Sequence, residues 1–209
     1  MRFIIALMIG GAVLLYFGVQ EMRLSSAAKA EPQTITCDNL AKNGPGDNAH
    51  IVLSDFILLA EGGVYEAKSG SDTNWITFWA PLVPYGGEFH QEVMKKFDAA
   101  GKLTGEMPHP KSIDVIFKTK SVKNEAALAV VSQQDTLAGM VVNKIDTLGS
   151  EEKKLLASSY PGIDFDKCWI IEHGRKPAGM GKIAGFLGGG AGLILLPGIY
   201  LITRKNSGA

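Results

Sequence analysis

Two stretches of the chain carry no charge. Phe3 to Gln20 is an uncharged run of 18 residues behind only Met1 and Arg2, and Ile183 to Thr203 is a run of 21 between Lys182 and Arg204-Lys205. Coiled at about 1.5 Å per residue, either run matches a hydrocarbon core of about 30 Å. The pattern predicts a transmembrane anchor over residues 1–20 and a transmembrane helix over 183–203, with a short tail at 204–209. Pro197 is tolerated in such a span. The first run also has a signal-peptide reading, because Ala28-Lys29-Ala30 has the small-x-small form of a cleavage site. The apolar run is longer than a signal core and the site lies well past its end, which favours an uncleaved anchor.

Between the runs the periodicity shortens. After a linker over 21–36, "HIVLSDFILL" (50–59), "GVYEAK" (63–68) and "NWITFWAPLVP" (74–84) read as strands. Pro81 and Pro84 place the third at a sheet edge, and "KSGSD" around Ser69 and Ser71 reads as a hairpin loop. "EFHQEVMKKFDAAG" sets Phe89, Val93 and Phe97 four apart on one helical face before Gly101 stops it. Further strands follow at 112–120, 136–148 and 166–174, separated by helices over "NEAALAVVSQQ" and from an N-cap at Ser150. The expected fold is α+β: one mixed domain over 37–176, of order about βββαβαβαβ, between an N-terminal and a C-terminal transmembrane helix.

The glycines of the second run invite a phosphate-loop reading, which fails. Counting from Gly174 puts Met180 where the lysine belongs, and counting back from Gly181-Lys182 puts Lys176 where the first glycine belongs. The same residues make two overlapping GxxxG pairs, Gly185 with Gly189 and Gly188 with Gly192, which point to helix packing.

Charge changes the picture little. The chain has 21 basic and 21 acidic residues, and setting aside Arg2, Arg204 and Lys205 leaves 18 basic against 21 acidic in the middle. No basic face for nucleic acid follows. Arg175, Lys176 and Lys182 before the second span read as lipid headgroup contacts. Basic residues beside the spans favour an inner middle segment. That rule weakens for loops beyond about 60 residues, and a two-residue amino tail before an apolar run acts as a signal, so the termini are expected to be cytoplasmic and the domain extracytoplasmic.

Candidate chemistry is sparse. Cys37 and Cys168 flank the domain and form a disulfide candidate. His50, His90, His109 and His173 have no metal-site spacing, and no nucleophile elbow or paired carboxylate stands out. No catalytic residue, metal ligand or cofactor is assigned. Trp75, Phe78, Trp79 and Tyr85 form an aromatic cluster with two readings, core packing or a partner contact.

A span, a β-rich domain with "PLVP" closing an early strand, a late "GMVV" strand and a second span resemble the Surfeit-locus cytochrome oxidase assembly factors, which implies an assembly role around haem insertion. The layout is also similar to the inter-span domain of membrane-anchored ubiquitin ligases, without RING cysteines after the second span. Neither resemblance transfers a functional residue. The expected function is a non-catalytic binding, assembly or scaffold protein whose partners are the bilayer and a membrane protein or second copy. The alternative is a membrane-bound enzyme with a site around His50, Asp55 or His173.

Overall fold

The computed structural model describes residues 2–69, 74–98 and 100–206. The loop stretch 70–73, with Ser71, lies outside the described residues, as does the end of the tail from 207. The chain divides into two units, residues 28–176 and the two terminal segments on either side.

The first unit is a mixed α+β domain built on an 8-stranded sheet. Its strands are β1 (Gln33–Thr36), β2 (His50–Ser54), β3 (Phe56–Leu58), β4 (Val64–Ala67), β5 (Trp75–Pro84), β6 (Val115–Thr119), β7 (Thr136–Val141) and β8 (Trp169–His173). Its helices are α2 (Cys37–Asn43), α3 (Glu88–Met94), α4 (Glu125–Ser132) and α5 (Ser150–Ser159), after α1 (Arg2–Ser25) in the other unit. Local chemistry explains their ends. Thr36 caps α2 by accepting from the Asn39 amide at 3.2 Å, and Gly44 ends it at φ 70°. Asn124 caps α4 through the Ala127 amide at 2.9 Å. At α5 the cap position is Gly149, so Ser150 is the first helical residue, ahead of Glu151 and Glu152 at the positive end of the dipole.

Three expectations need correction. Residues 21–36 are not a linker, because α1 continues to Ser25 and 33–36 pair in parallel with β2. The third strand is not at an edge: β5 has β6 on one side and β4, then β3, on the other. Pro81 falls at the handover from β4 to β3, where its carbonyl accepts from Leu59 at 3.0 Å and only one ladder donor is lost. Finally α3 stops at Met94, and the chain turns into a hairpin in which the Thr104 amide donates to the Lys96 carbonyl at 2.6 Å.

The strand order is β1-β2-β7-β8-β6-β5-β3. β2 and β3 stand far apart on this path yet are separated in sequence by Asp55 alone, which has φ 53°. One bent strand therefore serves both halves of the ladder, and the sheet closes into a small barrel of β2/β3, β7, β8, β6 and β5. Cross-strand registers give each side chain its face. Ile51, Leu53, Leu137, Val141, Ile171, Phe117, Val115, Ala80 and Leu82 share one, and all are buried. The opposite face of β2 and β7 includes half-buried Val52 and exposed Thr136 and Ala138. The first face is the inside.

The second unit is a helical hairpin of α1 and α6 (Met180–Asn206), both long and apolar enough to cross a membrane. Only 11% and 17% of the residues in their most apolar windows are buried, unlike core helices. The helices run antiparallel. A side chain at Gly11 would stand 2.7 Å from the Gly190 carbonyl, one at Gly18 would meet Leu187, and the Ser25 hydroxyl takes the Ala178 amide at 2.9 Å. Buried Gly11 and Gly18, like buried Gly190 and Pro197, are seven apart, the spacing of a coiled-coil seam. Hence Gly11, Gly18 and Gly190 make the close approach, whereas a Cβ added at Gly185, Gly188, Gly189 or Gly192 would meet nothing within 4 Å, so these four take no part in this contact.

Gly190→Leu is expected to separate the two helices, at a cost of about 1–3 kcal/mol from overpacking. Disulfide cross-linking of cysteines introduced at Gly18 and Phe186, whose β carbons would stand 3.1 Å apart, should drop in that variant and persist in Gly189→Leu. Equal cross-linking in both would contradict the seam.

Candidate functional site

The structure scatters the enzyme candidates. His50 pairs in register with Met140, and Met140 with Glu172, whereas His173 pairs with Gly139 and Gly139 with Ile51. The two histidines therefore lie on opposite faces of the barrel wall. His50 is held by its ring Nδ1 near the Lys29 carbonyl at 3.2 Å and by its amide on Asn48 Oδ1 at 3.0 Å. His173 faces inward beside the Phe117 ring, at 5.6 Å between centroids, and its Nδ1 has no partner among the described residues. Burial pulls its pKa below 6.5, against a smaller opposing contribution from the Ala138 backbone. Asp55 is exposed at the strand bend. No constellation forms from these three.

Most of the aromatic cluster is core. Trp75, Phe78 and Trp79 are buried, with Tyr65 stacked on Trp75 at 4.6 Å and Trp75 on Phe78 at 5.4 Å. Phe78 fills the interior of the wall and Trp79 is covered on its outer face, so these three buried rings do not form a free contact surface. Tyr85 does reach solvent, at 62% exposed, and stacks on His90 at 4.4 Å.

Cys37 and Cys168 are both buried and both free. The candidate disulfide is not formed in the structure, where the Cys168 thiol instead donates to the Ile113 carbonyl at 3.0 Å. Burial, reinforced by Asp38 and Asp114, pushes the Cys37 thiol up to about 12; burial with Asp114, Asp164 and Asp166 does the same for Cys168. Both stay protonated and inert at neutral pH.

The cations before the second span are largely engaged. Arg175 Nη1 donates to buried Glu172 at 2.7 Å, and Lys182 pairs with Glu21 at 3.1 Å. Lys176 is exposed. Glu172 belongs to a belt that sequence inspection misses. Trp79, Lys118, Glu172, Met140 and His50, one from each barrel strand, stand side by side on the outer face. Lys118 is bonded to Asp146 and lies 5.8 Å from the Trp79 ring centre; Lys120 approaches Glu172 at 3.6 Å. Burial pushes the Glu172 carboxyl up, but the Arg175 hydrogen bond and the charges of Arg175, Lys120 and Lys118 outweigh it and leave the pKa below 4.5. The belt charges are each paired beyond the belt, Lys118 with Asp146 and Glu172 with Arg175, so the belt clamps the 142–149 loop and the chain exit at Arg175.

The open site lies elsewhere. A cleft of about 640 Å³ runs beside β3, lined by Ile57, Leu58, Phe89, Val93, Met107 and Pro110 among others. Its far wall is fixed because Lys111 bonds both Glu88 and Glu92 of α3, at 2.5 and 2.9 Å, pinning the Pro108–Pro110 segment to that helix. Tyr160 closes one end, its hydroxyl pKa raised to about 12 by burial and by Glu61. His109 and Ser132 also line the cleft. Among the described residues no group of three His, Cys, Asp or Glu side chains is placed to hold a metal ion.

No protein-family model, curated protein or solved structure matches this chain.

The sequence hint to the cleft was the Phe89–Val93 pair together with "EMPHP". Of these, Met107 lines the cleft yet stays 50% exposed, an apolar side chain left uncovered in a loop.

Acid should weaken the α+β domain in two stages. With its folded pKa below 6.5, His173 contributes stability that is present above 6.5 and lost as pH falls through the folded value. Glu172, with a folded pKa below 4.5, contributes stability present above 4.5 and lost below it. Denaturant melts of the detergent-solubilised chain at about pH 8, 6 and 4 check this. His173→Gln is expected to remove the upper stage only, and an unchanged upper stage would reassign it.

Proposed function

We propose that this chain is a membrane-anchored binding protein of an assembly or scaffold type. Its two apolar helices span the bilayer, both termini are cytoplasmic, and the α+β domain works on the extracytoplasmic side. The observation that carries the reading is the cleft beside β3: a pinned, largely apolar trough in which exposed Met107 stands opposite α3. Such a surface suits capture of apolar side chains from a partner. A further contact would be made in the bilayer by Gly185, Gly188, Gly189 and Gly192, where an added Cβ would meet nothing beyond its own helix backbone within 4 Å, so that a partner helix or a second copy can approach closely.

Cross-linking in native membranes tests the reading. Val93→Glu with Met107→Glu is expected to reduce partner adducts several-fold, and Gly189→Ile to reduce adducts formed within the bilayer. Unchanged adduct patterns in both variants would sink the proposal. Orientation has its own check, because both native thiols are buried. Thr104→Cys, at an exposed hairpin position, should react with a membrane-impermeant maleimide on intact cells; reaction only after permeabilisation would place the domain inside.

A further inference from the structure

Beside the cleft, β3 keeps an open edge. The Leu59 amide donates to Pro81 and the Tyr85 amide to Asp55, so pairs 55/85, 57/83 and 59/81 carry the ladder bonds between these strands. The N–H and C=O groups of Phe56 and Leu58 must then point away from β5. Among the described residues none of these four groups has a hydrogen-bond partner, although both residues are half-buried. Unpaired backbone groups on a half-buried apolar strand are a template for another strand.

The trough along this edge is continuous. The 640 Å³ cleft and a second hollow of about 570 Å³ share Ile57, Leu58 and Ser132. Its charge is of one sign: Asp55 and Asp135 line one end and Glu61 the other, with no lysine or arginine lining either hollow.

We infer that the partner of this site is an extended peptide segment, apolar in its middle and flanked by Lys or Arg, which adds to β3 as a strand. The inference rests on the binding role proposed above and names the chemistry of its partner. Main-chain bonds to Phe56 and Leu58 supply affinity, alternate side chains of the segment enter the trough, and the acidic ends fix the basic flanks. A second copy of this chain is the poorer occupant, since antiparallel pairing of two β3 edges would oppose their acidic ends.

The probe is a fluorescent acetyl-Lys-Thr-Val-Thr-Val-Lys-amide titrated by anisotropy against the full chain in nanodiscs. Two further peptides carry N-methyl groups on the alternate amides of one edge or the other. Strand addition predicts that one methylated peptide loses binding and the other keeps it. Equal behaviour of the two, or no binding of the parent, would overturn the inference. Glu61→Lys with Asp135→Lys, both at exposed positions, is expected to weaken the parent peptide roughly tenfold and to strengthen a Glu-flanked one; indifference to both would remove the charge argument. A dimer by light scattering that the peptide does not dissociate assigns the edge to a second copy instead. The two proposals fail separately. Loss of partner adducts on Val93→Glu with Met107→Glu, alongside insensitivity to N-methylation, leaves the cleft a binding site without strand addition. Adducts indifferent to the cleft remove the underlying reading even if the peptide binds.

Discussion

Asp55 has to hold a left-handed backbone so that the stretch from His50 to Leu58 can pair with β7 in its first half and β5 in its second. Aspartate tolerates that region better than most non-glycine residues. Without the bend, β2 and β3 would run on as one straight strand, the ladder would stay open, and the inner face would lose its enclosure. The inner residues are selected by this closure. Phe78 and Phe117 fill the space between strands, while Ala80 and Gly139 are small where the wall is crowded: a Cβ at Gly139 would run into the backbone of Glu172 and His173. Among the described residues His173 is a titratable side chain on the inner face, and acid reaches the core through it.

Closure also forces charge into the wall. Strands that have apolar residues at alternate positions for the inside must place something at the intervening positions, and on β6 and β8 those include Lys118 and Glu172. Both are nearly buried, so each needs a partner, and the structure supplies Asp146 to one and Arg175 with Lys120 to the other. The hairpin of α1 and α6 solves a different problem. In the proposed bilayer setting lipid would give no hydrophobic drive for helices to meet, and backbone approach at Gly11 and Gly190 with the Ser25–Ala178 clasp would supply it.

Much of this was legible in the sequence wherever a single element decides the answer. The uncharged runs foretold α1 and α6, and the alternation in "SIDVIFKTK" and "HIVLSDFILL" foretold strands. What the sequence concealed depends on pairing between distant residues. "HIVLSDFILL" reads as one strand, and nothing local says that Asp55 divides its partners. "QTIT" is too short and polar to announce an edge strand. The glycine pairs of the second run obey the packing motif, yet Gly190, which belongs to neither pair, faces α1; helix phase relative to a neighbour is absent from one sequence. The aromatic run left core packing and partner contact both open, and the burial of Trp75, Phe78 and Trp79 follows from a closure that no local pattern reveals. The cleft was least legible of all, because its walls come from β3, α3, the 107–110 segment and Tyr160.

A barrel that closes on itself normally removes its edges, and this one keeps a short edge because β3 is only 3 residues long and turns away into the loop before β4. Proteins usually blunt such edges with lysine or proline, or cover them. Here Pro81 and Pro84 sit on β5, the paired neighbour, where they cannot protect β3. The flanking charges are Asp55, Glu61 and Asp135, at the ends of the trough and not on the strand itself. Acidic ends repel a second acidic edge while leaving the centre open to an apolar segment with basic flanks. The same arrangement that discourages self-association therefore sets a selectivity, and the two effects share one electrostatic origin.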